Sequence, residues 1–364
     1  MAEKDIGKNL RRYLSLKGYS IATFSMECGI GTATLSNILN DKSSPTSSTL
    51  IKITDKLDIS FNALLADNPK LKTLRFKIDK ELSAREKAQR DQIIVDSTLW
   101  LTNYVELEDI TNQHNDFIFT NIKSKDPLEA AHEVRSILNL SPDEPIRDIV
   151  SLIEKSGIKV YLHPFNFQRT FGLSINKEDG GPAIIVNTDD SLSLERRIFT
   201  IACELGHLIL HQDSYNGQVE LESPQEVKEA DIFASELLVP QKALEQKLKE
   251  YKGLSWYEVV LQIKKYFFVS YKTILYRLKN MPNATLYTNE AFLKLYNVPY
   301  AHTKASPLDT VIEVEPLLNI SFIETRYSYL VREAYENEKI SITRAAELLN
   351  LSINEMRNLI SNWL

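Results

Sequence analysis

The chain has 364 residues, 43% of them hydrophobic and 25% charged, which is enough for two or three domains with separate cores. Its formal net charge of -6 excludes a protein that binds polyanions over its whole surface. Its two cysteines, Cys28 and Cys203, lie far apart in dissimilar contexts, which argues against a disulfide framework. With no signal-like N-terminus and no apolar run near about 18 residues, we expect a cytoplasmic protein without a membrane segment.

The first segment, residues 1–68, has the pattern of five short helices. Ile6 and Leu10 belong to an apolar stripe that predicts the first helix, which ends near Gly18. The tight turn Gly29–Gly31 separates the second helix from the third. Two short helices joined by a glycine-containing turn predict a helix-turn-helix.

This segment resembles the DNA-binding domain of lambda-repressor-like (XRE-type) regulators, an all-α fold. The resemblance implies that Thr32–Ile38 is the recognition helix and that double-stranded DNA is the partner. Leu35 and Ile38 are committed to the core, so the residues left for base edges are Thr32, Ala33, Thr34, Ser36 and Asn37. Lys42 and Arg12 are the expected phosphate contacts. Such domains usually bind palindromic sites as dimers, so we expect a homodimer.

A second interpretation of this segment stays open. The family often carries a DNA-contacting glutamine near the start of the second helix, where this chain has Ile21 or Ala22. The segment is also barely basic, with eight Lys or Arg against seven Asp or Glu. Both features would suit a small helical bundle that binds protein instead of DNA.

Residues 69–124 are predicted to form a helical connector that contributes to dimerisation. A basic, partly extended stretch comes first, and a long helix of good helix formers begins near Ser83. Apolar positions such as Ile93, Trp100 and Leu107 fit an interdomain or dimerising helix better than a catalytic element.

Residues 125–284 combine strands with helices. The alternating segments Gly157–Leu162, Phe171–Ile175 and Ala183–Asn187 predict a small, mostly antiparallel sheet. Ser193 can cap the helix that follows, and a second, acidic helix begins near Glu226 and ends before a proline. The fold class is therefore mainly α with a small antiparallel sheet, α+β.

The helix after Ser193 carries the sequence Cys203-Glu204-Leu-Gly-His207. Residues four apart lie on one helical face, so Cys203 and His207 can point towards one metal ion. Zinc peptidases place two histidines at these positions as ligands, and the glutamate between them is the general base for a zinc-bound water. Here a cysteine replaces the first histidine.

Two motifs in series carry a family resemblance over roughly 130–280. Arg196-Arg-x-Phe-Thr-x-Ala leads into the metal-type helix, and Glu229-Ala-Asp-x-Phe-Ala-x-Glu-Leu-Leu-x-Pro240 follows it. This order resembles the ImmA/IrrE family of zinc metallo-endopeptidases. The resemblance implies a zincin-like domain in which His207 is a zinc ligand, Glu204 the catalytic base and Glu229 the third ligand, with Glu226 as the alternative.

Cys203 leaves three interpretations open. In the first, a thiolate, an imidazole and a carboxylate hold zinc as a mixed ligand set. In the second, zinc is absent and Cys203 is a small buried hydrophobic residue in a sensor or scaffold. In the third, His211 replaces the missing ligand, although eight residues from Cys203 correspond to about 80° of rotation around the helix.

Residues 285–364 are predicted to form a C-terminal helical domain. Residues 340–360 have helix, turn, helix spacing, with Ser341 or Thr343 capping the first helix and Ser352 the second. They resemble the short helix-turn-helix tail of longer XRE–peptidase fusions. Glu355 faces outward and would repel phosphate, which favours packing or dimerisation over DNA binding.

The sequence therefore predicts a repressor-like, DNA-binding transcriptional regulator. Its ImmA/IrrE-like domain is expected to sense a ligand or partner without proteolysis. The alternative is an active zinc endopeptidase that cleaves itself or a partner repressor, which the family resemblance implies. Besides DNA and a second copy of the chain, a repressor or toxin-like protein is the candidate partner.

Overall fold

The computed structural model describes residues 6–59, 61–65, 71, 73–76, 82–167, 170–215, 222–279, 289–295, 313–318 and 322–363. The chain divides into two compact units. The first comprises residues 1–71, 79–99 and 165–167, and the second comprises residues 72–78, 100–164 and 168–364. The four-segment division with bounds at 68, 124 and 284 stays a prediction.

The first unit contains five short helices, as the sequence predicts. They are α1 (Ile6–Lys17), α2 (Ile21–Cys28), α3 (Thr32–Leu39), α4 (Ser47–Leu57) and α5 (Phe61–Leu65). The Ser20 side chain caps α2 by accepting a hydrogen bond from the Thr23 backbone N–H, and Gly29 ends α2 in the left-handed conformation. Leu10, Phe24 and Leu35 are fully buried at the centre of this unit.

A long helix, α6 (Ala84–Thr111), begins directly after Ser83, as predicted. Its residues up to Leu99 are assigned to the first unit, and those from Trp100 onward are assigned to the second. Its proposed part in dimerisation stays a prediction.

The sheet of the second unit has four strands, β1 (Leu74–Phe76), β2 (Lys159–His163), β3 (Gly172–Ile175) and β4 (Ala183–Asn187), in the order β1-β3-β4-β2. β3 pairs antiparallel with β1 and β4, but β2 pairs parallel with β4. The sheet is mostly antiparallel, as predicted, but the parallel pairing of β2 with β4 makes it a mixed sheet. β1, β2 and β4 run in one direction and β3 in the other, so β2, which lies beside β4 instead of β3, forms a parallel pair.

The second unit also contains helices that precede and follow the strands. They are α7 (Pro127–Ile137), α8 (Ile149–Lys155), α9 (Leu194–Leu210), α10 (Pro224–Leu238), α11 (Gln241–Glu250), α12 (Trp256–Phe267), α13 (Tyr271–Lys279) and α14 (Asn289–Leu295). α9 and α10 pack closely, because a Cβ atom on Gly206 would lie only 2.9 Å from the Phe233 ring. Ser193 caps the start of α9, as predicted. α10 ends at Leu238, just before Pro240, as predicted.

Three helices follow in the C-terminal part: α15 (Arg326–Glu336), α16 (Ile342–Leu348) and α17 (Ile353–Ser361). The side chains of Ser341 and Ser352 cap α16 and α17, as predicted. His302 lies outside the described residues. Within the described ranges, no helix is long and apolar enough to cross a membrane.

Candidate nucleic-acid interface and candidate metal centre

The outer face of α3 presents the residues that the sequence assigns to DNA. Thr32, Ala33, Thr34 and Asn37 are exposed, and Ser36 is half-buried. On the opposite face Leu35, Ile38 and Leu39 are buried in the helical core. The amphipathic pattern of α3 therefore leaves a short polar surface that is free to contact base edges.

Arg12, which the sequence predicts to contact a DNA phosphate, is not exposed. The residue is buried, and its Nε donates to Gln92 Oε1 at 2.9 Å, so it is not available to a phosphate. The neighbouring Arg11 is exposed and donates to the Leu39 carbonyl at the end of α3. Lys42, just beyond α3, is exposed as a phosphate contact would be.

In the second unit, Glu204 lies on α9 and is held by β3. Its Oε2 accepts a hydrogen bond of 2.6 Å from Ser174 Oγ, and Ser174 Oγ lies 2.8 Å from the Tyr215 hydroxyl. Burial and the Glu204 carboxylate raise the pKa of Tyr215 well above its usual value, so Tyr215 stays neutral and can donate to Ser174. A Cβ on Gly172 would lie 2.5 Å from Thr200, so only glycine allows β3 this close to α9.

Cys203 has a carboxylate partner on α10. Its Sγ lies 3.5 Å from Asp231 Oδ1, which is within hydrogen-bond range for a thiol donor. The Arg196 guanidinium stacks on the Phe171 ring, with 3.9 Å between its Cζ and the ring centroid. Burial lowers the pKa of Arg196, and the nearby Cys203 and Asp231 act in the opposite direction. The thiol thus belongs to a polar cluster with Asp231 and Arg196.

His207 belongs to a different row of contacts. Its Nδ1 lies 3.0 Å from His211 Nδ1, and its Nε2 lies 3.4 Å from Glu222 Oε2. His211 Nε2 in turn lies 2.9 Å from Glu229 Oε2. The other oxygen of Glu229 accepts a hydrogen bond from Gln225. Both ring nitrogens of each histidine therefore face a neighbour within this row.

Glu226, the alternative third ligand, is committed to an arginine. Arg75 Nη1 and Nη2 bind its two oxygens at 2.8 and 2.7 Å. Ser214 Oγ and the Ser223 backbone N–H also donate to it, the latter completing a capping box at the start of α10. The arginine and these donors hold the pKa of Glu226 far below its usual value.

These contacts test whether the candidate ligands fit a zinc ion. Cys203 contacts Asp231, His207 contacts His211 and Glu222, and Glu229 contacts His211. Among the described residues, no three His, Cys, Asp or Glu side chains are grouped so that they could hold a metal ion. The donor set, in this arrangement, does not fit zinc, and a site would require several side chains to exchange partners.

Several residues of the site carried no assigned role in the sequence interpretation. Asp231 lies within the Glu-Ala-Asp motif, 28 residues after Cys203, and that motif was a usable signal. Glu222 directly precedes the α10 cap, and its place beside His207 depends on the tertiary fold. Ser174, Tyr215 and Arg75 reach the site through strand pairing and loop packing, which no local pattern encodes.

Comparison with known proteins identifies two domains. Residues 10–64 match the family model of a helix-turn-helix, and residues 153–279 match that of an IrrE N-terminal-like domain. The protein is therefore of the class that joins a helix-turn-helix domain of XRE type to an IrrE/ImmA-like domain. It has the α+β composition expected of that pair.

The other comparisons add little. No curated protein matches the chain. Among solved structures, a Mycobacterium tuberculosis transcriptional regulator matches with 18% identity and a TM-score of 0.30, covering 50% of this chain and 54% of that one. The chain thus spans about half the length of that structure.

Proposed function

We propose that the protein is a repressor-like transcriptional regulator that binds double-stranded DNA through α3. The helix-turn-helix match and the exposed row Thr32, Ala33, Thr34 and Asn37 support this proposal. Gly31 caps α3 without a side-chain hydrogen bond, which leaves backbone N–H groups of its first turn to a DNA phosphate. A homodimer reading two half-sites follows from the general geometry of such domains.

We further propose that the IrrE-like domain is a sensing module without peptidase activity. The single observation behind this is that Cys203, His207 and Glu229 do not share one point but contact separate partners. A ligand or a repressor or toxin-like protein that binds this domain would be the signal. The binding event would then alter DNA affinity, with no bond broken.

A mobility-shift assay on DNA from the gene's own promoter tests the DNA-binding proposal. The double variant Thr34→Ala, Asn37→Ala removes two exposed polar side chains, and each lost base contact costs roughly 1–3 kcal/mol. Affinity should fall by about tenfold or more, whereas Ser48→Ala, an exposed change on α4, should leave it unaltered. Failure to shift any DNA at low salt would overturn the proposal.

One observation favours the alternative, an active zinc endopeptidase that cleaves itself or a partner repressor. Glu204 is kept on the helix face beside His207 and is oriented by Ser174, as a general base would be. Incubating zinc-supplemented protein with a candidate repressor distinguishes the two. Cleavage by the wild type that Glu204→Gln abolishes would establish the peptidase and exclude the sensing proposal.

A further inference from the structure

The edge strand β1 is an addition to the IrrE-like domain. The family match begins at residue 153, whereas β1 is formed by Leu74–Phe76, far upstream. β1 pairs antiparallel with the outer edge of β3, with Arg75 opposite Ser174. Without it, β3 would be the edge of the sheet and would expose its backbone N–H and C=O groups.

The segment that carries β1 belongs to a different compact unit from its neighbours in the chain. Residues 72–78 belong to the second unit, whereas the residues that precede and follow them belong to the unit that contains the helix-turn-helix. β1 is therefore a short piece of chain that the second unit holds between two stretches of the first.

Two side chains anchor β1. Arg75 is 2% exposed and forms the bidentate ion pair with Glu226 on α10, and its guanidinium lies 5.7 Å from the centroid of the Tyr215 ring. The backbone N–H and hydroxyl of Thr73 both donate to Asp179 Oδ2, at 2.7 and 2.8 Å. The Thr73 hydroxyl also accepts a hydrogen bond of 3.3 Å from the Asn176 backbone N–H, and the Leu74 side chain is buried. The ladder hydrogen bonds of β1 are ones that any extended peptide can make.

The position of β1 bears directly on the candidate site. Ser174, the partner of Arg75 in the strand register, is the residue that donates to Glu204. Glu226, which binds Arg75, lies one turn from Glu229 on α10. A peptide on the β3 edge therefore lies beside both helices of the site.

We propose that the β3 edge is a binding site for an extended peptide with a central arginine, and that Leu74–Phe76 is its built-in occupant. A three-residue strand contributes few ladder bonds, so a partner peptide that makes the same bonds can replace it by strand addition. Glu226 selects arginine, because the planar guanidinium matches a carboxylate with two parallel hydrogen bonds. The peptide would be the signal of the sensing module, and this part of the inference rests on the proposed function.

Displacement of β1 would release the segment that the second unit holds. Since both chain neighbours of that segment belong to the helix-turn-helix unit, the release would change the tether of the DNA-binding domain. The built-in strand competes at a high effective concentration because it is part of the same chain. An added peptide should therefore bind weakly to the wild type and more tightly once the built-in strand is weakened.

Fluorescence anisotropy with a labelled peptide copying residues 72–77 tests this on the full chain. The peptide should bind the Arg75→Ala protein on the order of tenfold more tightly than the wild type. A peptide with alanine for arginine should lose that gain, and a second change, Glu226→Gln, should remove the preference for arginine. Circular dichroism must show that each variant is folded.

Amide hydrogen exchange gives an independent readout. In Arg75→Ala, residues 172–175 should exchange faster, and the added peptide should restore their protection. If a folded Arg75→Ala protein binds both peptides equally, or if exchange at 172–175 is unchanged, the proposal is wrong. The double variant Thr34→Ala, Asn37→Ala must bind the peptide with the same affinity as the protein without these two changes. Loss of DNA binding can then be distinguished from loss of peptide binding.

Discussion

At the scale of single residues, Cys203 contacts one partner, and His207 and Glu229 share another. The Cys203 thiol lies against Asp231, with 3.5 Å between Sγ and Oδ1. His207 and His211 contact each other, and Glu229 pairs with His211.

The Arg75–Glu226 pair gives a residue-scale prediction. Glu226→Ala leaves a guanidinium that is 2% exposed without its carboxylate, so we expect a loss of roughly 2–4 kcal/mol in the free energy of unfolding. Glu229→Ala removes a carboxylate that is 30% exposed and should cost less than about 1 kcal/mol. Urea unfolding followed by circular dichroism measures both, and equal losses in the two variants would contradict the account.

At the scale of secondary-structure elements, β3 and β2 each have a partner on their outer side. β1 covers β3, and on β2 the Leu162 N–H donates to Glu324 Oε2 at 2.8 Å. The carboxylate of Glu324 is buried near Glu154, whose pKa burial also raises. The contact with Leu162 ties Glu324 to the outer side of β2.

The raised pKa of Glu324 predicts that the stability of the folded protein depends on pH. Burial raises its pKa to about 8, so the acid is neutral in the folded protein near neutral pH. A folded-state pKa above the unfolded value means that the stabilisation is complete below the ordinary carboxyl pKa and is lost as the pH rises towards 8. Stability of the wild type should therefore decline from pH 5 to pH 8.5, and Glu324→Gln should reduce that decline.

Unfolding midpoints in urea at pH 5, 7 and 8.5 check this prediction. Glu355→Gln, a change to an exposed cap residue of α17, is the matched control and should keep the wild-type slope. A Glu324→Gln protein whose midpoint falls as steeply with pH as that of the wild type would contradict the prediction.

The elements also show what sequence patterns can and cannot predict. The helices α2, α3, α9, α10, α16 and α17 could be placed because their caps and apolar spacing are local. For β1 the sequence predicts only a partly extended stretch, because its partner β3 lies about a hundred residues away. The parallel pairing of β2 with β4 was missed for the same reason, since strand order depends on tertiary packing.

The candidate site divides in the same way. Cys203, Glu204, His207 and the acidic start of α10 could be named from motif spacing. Glu222, Ser174 and Arg75 could not, because each reaches the site from another segment of the chain. Arg12 was assigned to DNA from its charge, but the pattern could not show that its guanidinium is buried against Gln92.

At the scale of the whole molecule, the protein joins a helix-turn-helix domain to an IrrE-like domain in one chain. We expect a dimer in solution, because two recognition helices are needed for a palindromic operator. Light scattering measures this directly. A protein that is monomeric in solution, and whose copies bind the two half-sites of a palindrome independently, would contradict the prediction of a dimer.

Metal analysis tests most directly whether the second domain senses without zinc chemistry, as we propose. Protein purified from zinc-supplemented culture, without chelators, should contain far less than one zinc per chain by plasma mass spectrometry. Cys203→Ala should leave that content unchanged, because the thiol is engaged with Asp231. Close to one zinc per chain in the wild type, lost in Cys203→Ala, would contradict the claim and establish the mixed-ligand site.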